Sequence, residues 1–221
     1  MKARCALKAY IFDLDGTLLD SMGIWDKIDI DFLAKRGIDV PPDYGDALSP
    51  LSFTEVAEYT IKRFNLPDSI EDLLREWNEM AIYAYGNTIE LKPYAKEYLT
   101  KLNEFKKCGV KIAIATTCPP ELYTPALQKH GILEYFDVIC TTSEVANGKT
   151  KPDIYILTAQ KLGVSPCDCI VFEDILPAVK SAKQIGMTVY GVYDSASKKV
   201  WEEIKNIADD VIYDFKDAPL M

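Results

Sequence analysis

Ala9-Tyr10-Ile11-Phe12-Asp13-Leu14-Asp15-Gly16-Thr17-Leu18-Leu19-Asp20 is the stretch on which the reading of this chain turns. A β-forming apolar run drives straight into two carboxylates, then a glycine and a threonine. Short apolar runs of this kind read as strands buried in a parallel sheet. Unpaired carboxylates are expensive to bury. Asp13 and Asp15 therefore belong at the carboxyl end of the strand, the edge where open α/β sheets hold their ligands.

Downstream of this strand the pattern turns helical. Ile24, Ile28, Phe32 and Leu33 recur at helical spacing before a stop at Arg36-Gly37. Pro41-Pro42-Asp43-Tyr44-Gly45 reads as a loop. Ser52 and Glu55 have the spacing of a capping box, and Val56, Tyr59, Thr60 and Phe64 continue that helix. A third helix opens at Pro67-Asp68-Ser69, with Ile70, Leu73, Leu74, Trp77 and Ala81 inward. From Lys92-Pro93 strands and helices alternate, with strands near 110–115, 136–140, 169–172, 188–192 and 211–213. The expected fold is α/β: a doubly wound, parallel-sheet, Rossmann-like core with an inserted α-helical cap domain. The core is expected over 1–18 and 89–221, the cap over 19–88, with hinges at Leu18–Ser21 and Tyr85–Glu90.

The bulk numbers remove several function classes. A formal charge of −9 argues against a nucleic-acid or anionic-membrane surface. No apolar stretch approaches the roughly 20 residues that span a bilayer, and Met1-Lys2-Ala3-Arg4-Cys5 leads into a strand, unlike a signal-peptide core. The six cysteines lie on or beside expected core elements and read as buried, reduced thiols of a cytoplasmic protein. Cys167-Asp168-Cys169 is too tight for a zinc pair. A monomer is the default expectation.

Three further pieces follow at strand ends. Ala115-Thr116-Thr117-Cys118 runs a strand into hydroxyls, and a short hydroxyl with free backbone N–H groups suits a phosphate oxygen. Gly148-Lys149-Thr150-Lys151-Pro152-Asp153 puts lysines immediately before a helix start. Val171-Phe172-Glu173-Asp174 again ends an apolar strand in paired acids. Each alone has a bland reading as cap, turn or solvated loop. Together, and in this order, they resemble the haloacid-dehalogenase-like hydrolases, with Gly-Lys-x-Lys-Pro-Asp and Val-Phe-Glu-Asp similar to the β-phosphoglucomutase-like branch. The resemblance covers nearly the whole chain, with the helical insert where that family carries a helical cap.

The resemblance implies a Mg²⁺-dependent phosphatase acting on a small phosphorylated metabolite. A phosphate dianion repels a carboxylate nucleophile, so such a site must neutralise both. Asp13 is expected as nucleophile and metal ligand, and Asp15 as general acid and base that also lends its backbone carbonyl to the metal. Asp174 is expected as direct ligand, with Glu173 beside it, direct or through water. Lys151 is expected to offset charge between Asp13 and the phosphoryl group, with Lys149 as its competitor. Thr116 and the Thr117 amide are expected to hold phosphoryl oxygens, and Thr17 to support the loop.

Two departures argue against mutase activity. Trp25 stands where β-phosphoglucomutases carry a histidine, and Leu48-Ser49-Pro50-Leu51-Ser52-Phe53 lacks their arginine. A phosphosugar isomerase and a non-catalytic phosphometabolite sensor remain the alternatives. His130 reads as a helix C-terminal residue, Trp25, Tyr83 and Tyr85 as packing residues of the cap, and Cys118 carries no assigned role.

Overall fold

Ala9–Phe12 forms β1, and all four residues are buried. The computed structural model describes residues 8–48 and 51–220, so Met1–Cys5 and the Ser49-Pro50 pair of the cap loop lie outside the described residues. The chain divides into two compact units, Gly23–Thr88 and the remainder on either side of it. The division falls at Met22, later than the expected residue 18, because the backbone after Asp15 stays bound to the core. Leu18 and Leu19 are buried, Leu19 bridges Leu91 antiparallel, and the Asp20 N–H donates to the Glu90 carbonyl at 2.9 Å.

The larger unit is a six-stranded sheet in the order β3-β2-β1-β4-β5-β6, with β2 at Lys111–Thr116, β3 at Val138–Thr141, β4 at Cys169–Glu173, β5 at Thr188–Val192 and β6 at Asp210–Ile212. Every pairing is parallel. Phe12 pairs with Ile114 on one side and Phe172 on the other. That register brings the ends of β1, β2 and β4 to one edge, at the strand where the order reverses, which is where doubly wound sheets bind ligands.

Both sheet faces are covered, as the continuous apolar strands require. On one face Ile11, Ala113 and Val171 pack with Ile154, Tyr155, Val179 and Trp201. These come from α7 (Asp153–Leu162), α8 (Leu176–Gln184) and α9 (Trp201–Ile207). On the other face Phe12 stacks on Phe172, with centroids 4.9 Å apart. Tyr98 of α5 (Ala95–Phe105) meets Phe172 edge-on, and Phe215 closes the cluster. The remaining core helix, α6 (Pro120–His130), ends on Gly131 and its buried His130, whose Nε2 lies 3.0 Å from the Ile89 carbonyl.

The second unit holds α1 (Ile24–Ala34), α2 (Tyr44–Leu48), α3 (Phe53–Phe64) and α4 (Ile70–Asn87). Ile24, Ile28, Phe32 and Leu33 are buried, and Phe32 meets Trp77 of α4 at 5.3 Å. Ser52 caps α3 with both bonds of the capping box. The expected loop at 41–45 instead runs into α2, because Tyr44 is drawn inward: its hydroxyl lies 2.6 Å from Thr60 Oγ1. Trp25 and Tyr83, expected as packing residues, are exposed, whereas Tyr85 is buried.

Among the described cysteines, Cys118, Cys140 and Cys169 are buried but Cys108 and Cys167 are exposed, and none forms a disulfide. The expectation of uniformly buried thiols fails at Cys108 and Cys167 because both sit on short 3₁₀ turns outside the sheet layers. No helix among the described residues is long and apolar enough to cross a membrane.

Phe172 shares the aromatic bed and immediately precedes Glu173-Asp174. Phe172→Ala should lower folding stability by about 3–5 kcal/mol, read as a fall in the denaturation midpoint; a midpoint unchanged from wild type would show that the aromatic bed does not carry this edge of the sheet.

Candidate active site

The carboxyl edge of β1 and β4 gathers four buried ionisable groups, Asp13, Lys149, Glu173 and Asp174. Asp13, Glu173 and Asp174 each offer an oxygen within 4.8 Å of the others, and all three residues are buried. Lys149 enters from the loop before α7 and is itself only 5% exposed. Its Nζ donates to Asp13 Oδ1 and, at 2.5 Å, to Glu173 Oε1. Three carboxylates against one ammonium leave two negative charges uncompensated, a deficit that matches a divalent cation.

The polar accounting gives the same answer. Glu173 Oε2 and Asp174 Oδ2 are buried without a hydrogen-bond partner among the described residues. Orphaned buried acceptors cost stability unless something satisfies them. Two such oxygens beside Asp13 form a hard-oxygen donor set, so the residues present fit a Mg²⁺-class ion. Burial pushes the Glu173 carboxyl up, and the Asp13 charge adds to that. Asp174 is raised by burial and then by Asp13 and Glu173. Burial opposes the charged form of Lys149, but Asp13 and Glu173 outweigh it and hold the amine above its ordinary range.

Local sequence explains how each group is aimed. Gly16 sits at φ +80°, and a Cβ there would lie 2.4 Å from Asp174 Oδ2, so only glycine lets the β1 loop pass this carboxylate. Thr17 Oγ1 donates to Asp174 Oδ1 at 3.2 Å. Asp15 is not part of the three-acid group; Ser21 Oγ donates to its Oδ1 at 2.6 Å. Thr116 is buried at the end of β2, and its Oγ1 accepts the Cys118 N–H at 3.0 Å. That leaves its hydroxyl proton as what it can offer an anion. The Thr117 side chain is exposed.

The lysine expected at 151 is not the one in the site. Lys151 is exposed, and Lys149 makes the ion pairs. Gly148 at φ +47° turns the loop, Thr150 and Asn147 tie it to itself and to Asp153, and Ser181 Oγ anchors the Lys149 carbonyl at 3.0 Å. The loop buries Lys149 and leaves Lys151 exposed, which adjacency to proline could not reveal. Tyr155 is the residue that sequence reasoning missed: its hydroxyl donates to Glu173 Oε1 at 2.5 Å, and burial first, then Glu173, pushes its phenol up. It reads as one more core position of α7. The available signal was that a buried tyrosine needs a partner for its hydroxyl, here beside the lysine loop.

Residues 7–186 match the family model described as haloacid dehalogenase-like hydrolase. The chain belongs to that family. Among its relatives, a phosphorylated carbohydrates phosphatase of Thermotoga maritima is 28% identical over 86% of this chain and 87% of its own length. Hexitol phosphatase B of Escherichia coli K12 is 27% identical, over 81% and 80% of the two chains. A Thermotoga maritima crystal structure, provisionally described as a β-phosphoglucomutase, superimposes with a TM-score of 0.79 at 26% identity over 93% of this chain and 94% of its own. The family assignment and the branch expected from the four motifs both hold.

Raised carboxyls mean that the ion-free fold keeps protons the unfolded chain would release, so stability falls as pH rises out of the ordinary carboxylate range. A divalent cation reverses this only where the acids are ionised. Added Mg²⁺ should therefore raise Tm more at about pH 8 than at about pH 5. Equal shifts at the two values, read by thermal unfolding against a chelator control, would remove the acid cluster as the binding site.

Proposed function

We propose that this hydrolase is a Mg²⁺-dependent phosphatase that cleaves a small phosphorylated metabolite, of the sugar-phosphate class, through an aspartyl-phosphate on Asp13. The observation that carries the reading is the pairing of buried Asp13 with Lys149 inside an acid cluster that lacks two positive charges. Asp13, Glu173 and Asp174 would hold the ion, together with the Asp15 backbone carbonyl. When bound, the ion supplies positive charge that lets a phosphate dianion approach a carboxylate.

The chain's own groups then divide the work. Lys149 offsets charge at Asp13 and at the incoming phosphoryl oxygens, taking the role that sequence adjacency suggested for Lys151. An Asp13 oxygen attacks phosphorus as the ester P–O bond breaks, and Asp15, protonated, gives its proton to the leaving alkoxide. Asp15, now a carboxylate held by Ser21, takes a proton from water, whose oxygen displaces Asp13 and releases inorganic phosphate. Thr116, with the Thr117 amide, orients phosphoryl oxygens. Tyr155 keeps the Glu173 carboxylate fixed by its hydrogen bond. The names of the relatives, a carbohydrate phosphatase and a hexitol phosphatase, support the substrate class.

Phosphate release from a panel of sugar and nucleotide phosphates, with and without Mg²⁺, tests this. Release should require Mg²⁺, and Asp13→Asn should abolish it. Conversion of β-glucose 1-phosphate to glucose 6-phosphate without phosphate release would instead make the protein a mutase.

The two lysines separate cleanly in the same assay. Lys149→Ala should lower kcat by about 10²–10³-fold, whereas Lys151→Ala should stay within about twofold of wild type. The opposite ranking would show that the loop rearranges before chemistry and that the ion pair at Asp13 is not the working one.

A further inference from the structure

The three acids at the sheet edge share a pattern that their residue types alone do not require. Each has one carboxylate oxygen held by a donor of the protein. Asp13 Oδ1 accepts from Lys149 Nζ, Asp174 Oδ1 from the Thr17 hydroxyl, and Glu173 Oε1 from both Lys149 Nζ and the Tyr155 hydroxyl. The other oxygens of Glu173 and Asp174 are buried with no hydrogen-bond partner among the described residues. The acid pair that closes β4 therefore offers an ion one oxygen from each carboxylate, and not both.

Glu173 is held most firmly, because its Oε1 carries two donors. A carboxylate oxygen has two lone-pair directions in its plane, and two donors use both. The donors differ in kind. Lys149 reaches Oε1 along a flexible stem and also bonds Asp13, so by itself it could turn with the carboxylate. Tyr155 cannot follow. It is fully buried on α7 and packs in one apolar cluster with Ile11, Ala113 and Val171 of the sheet. A rigid ring wedged between helix and sheet fixes its hydroxyl relative to the strands. The phenol is what stops the Glu173 carboxylate from turning to present both of its oxygens.

We propose that Tyr155 is a positioning residue that sets ion selectivity: by occupying Glu173 Oε1 it limits this carboxylate to one ligating oxygen, and so favours Mg²⁺ over Ca²⁺ at the acid cluster. The inference rests on the metal-dependent reading and deepens it. Mg²⁺ demands a tight octahedron and keeps several waters, whereas Ca²⁺ takes about six to eight oxygens and often engages both oxygens of a carboxylate. Single oxygens from Glu173 and Asp174 suit the smaller ion. A Glu173 free to turn would supply the additional oxygen that the larger ion uses. Because the Tyr155 hydroxyl adds no net charge, it acts on ligand geometry and leaves the net charge that attracts either dication unchanged.

Calorimetric titration of Mg²⁺ and of Ca²⁺ into the full chain, freed of divalent ions by a chelator, reads this without turnover. The wild type should bind Mg²⁺ more tightly than Ca²⁺, a preference that tests the proposal even if a variant does not fold. Tyr155→Phe keeps the ring and removes only the hydroxyl. Its Kd for Mg²⁺ should rise by about tenfold while its Kd for Ca²⁺ stays within about twofold of wild type. Tyr98→Phe removes a different buried hydroxyl, one that donates to the Pro219 carbonyl at 2.7 Å, and should leave the ratio of the two constants unchanged. That control separates selectivity from loss of stability. Unchanged constants in Tyr155→Phe, an equal rise in both, or tighter binding of Ca²⁺ than of Mg²⁺ by the wild type would each overturn the proposal and leave the metal site standing. Binding of neither ion by the wild type would overturn it together with the metal-dependent reading.

Discussion

Three carboxylates and a single lysine lie buried together at the end of the central strands, and the charge they leave uncompensated governs what surrounds them. Burial of that kind is tolerated only where each oxygen is fixed and where a counter-charge can enter. The neighbouring residues follow from this. Gly16 gives up its side chain so that the backbone can pass Asp174. Thr17 and Tyr155 each take one carboxylate oxygen. Ser181 holds the Lys149 backbone from a different helix, so the position of the ammonium depends on the packing of α8 as well as on its own loop. Two carboxylate oxygens stay unpartnered among the described residues, and they define where a cation's charge is wanted.

The sheet makes this concentration of charge affordable. Parallel pairing in the order β3-β2-β1-β4-β5-β6 places the ends of β1 and β4 side by side, so Asp13, Glu173 and Asp174 are brought together by rigid ladder geometry. The Asp13 N–H still donates to the Phe172 carbonyl at 3.0 Å, which extends the ladder by one bond past β1 and fixes the acid's backbone. Beneath lies an aromatic layer of Phe12, Phe172, Tyr98 and Phe215, whose edge-on and stacked contacts leave little room for the strand ends to shift. Polar precision at one edge thus rests on apolar close packing behind it.

The helical unit is built on different terms. Its arginines are held in ion pairs with its own acids, and Arg36 also lies over the Phe32 ring at 3.8 Å. Basic charge there serves the fold, and a pocket beside Trp25 is left aromatic and acidic. The contrast with the sheet's acid cluster is chemical. One collects oxygens around a buried lysine, and the other pairs its arginines with its own acids at the surface of its helices.

Much of this was legible in the chain itself, because periodicity and strand-end acids are local properties. The alternation of apolar runs and helical faces determined the doubly wound core and the helical insert. Asp13, Glu173 and Asp174 were marked by standing directly after apolar strands, since a carboxylate there has only the sheet edge to occupy. The Ser52 capping box was readable for the same reason: its partners lie within three residues. What the sequence could not decide depended on contacts between distant segments. Lys149 and Lys151 differ only in which way a turn directs them, and that turn is held by Asn147, Asp153 and Ser181. Tyr155 is indistinguishable from a core residue until its hydroxyl is seen against Glu173, 18 positions away. Tyr44 turned an expected loop into a helix through Thr60, 16 positions on. Local pattern chooses the elements; the direction of a side chain at the end of a loop is chosen by whatever packs against it.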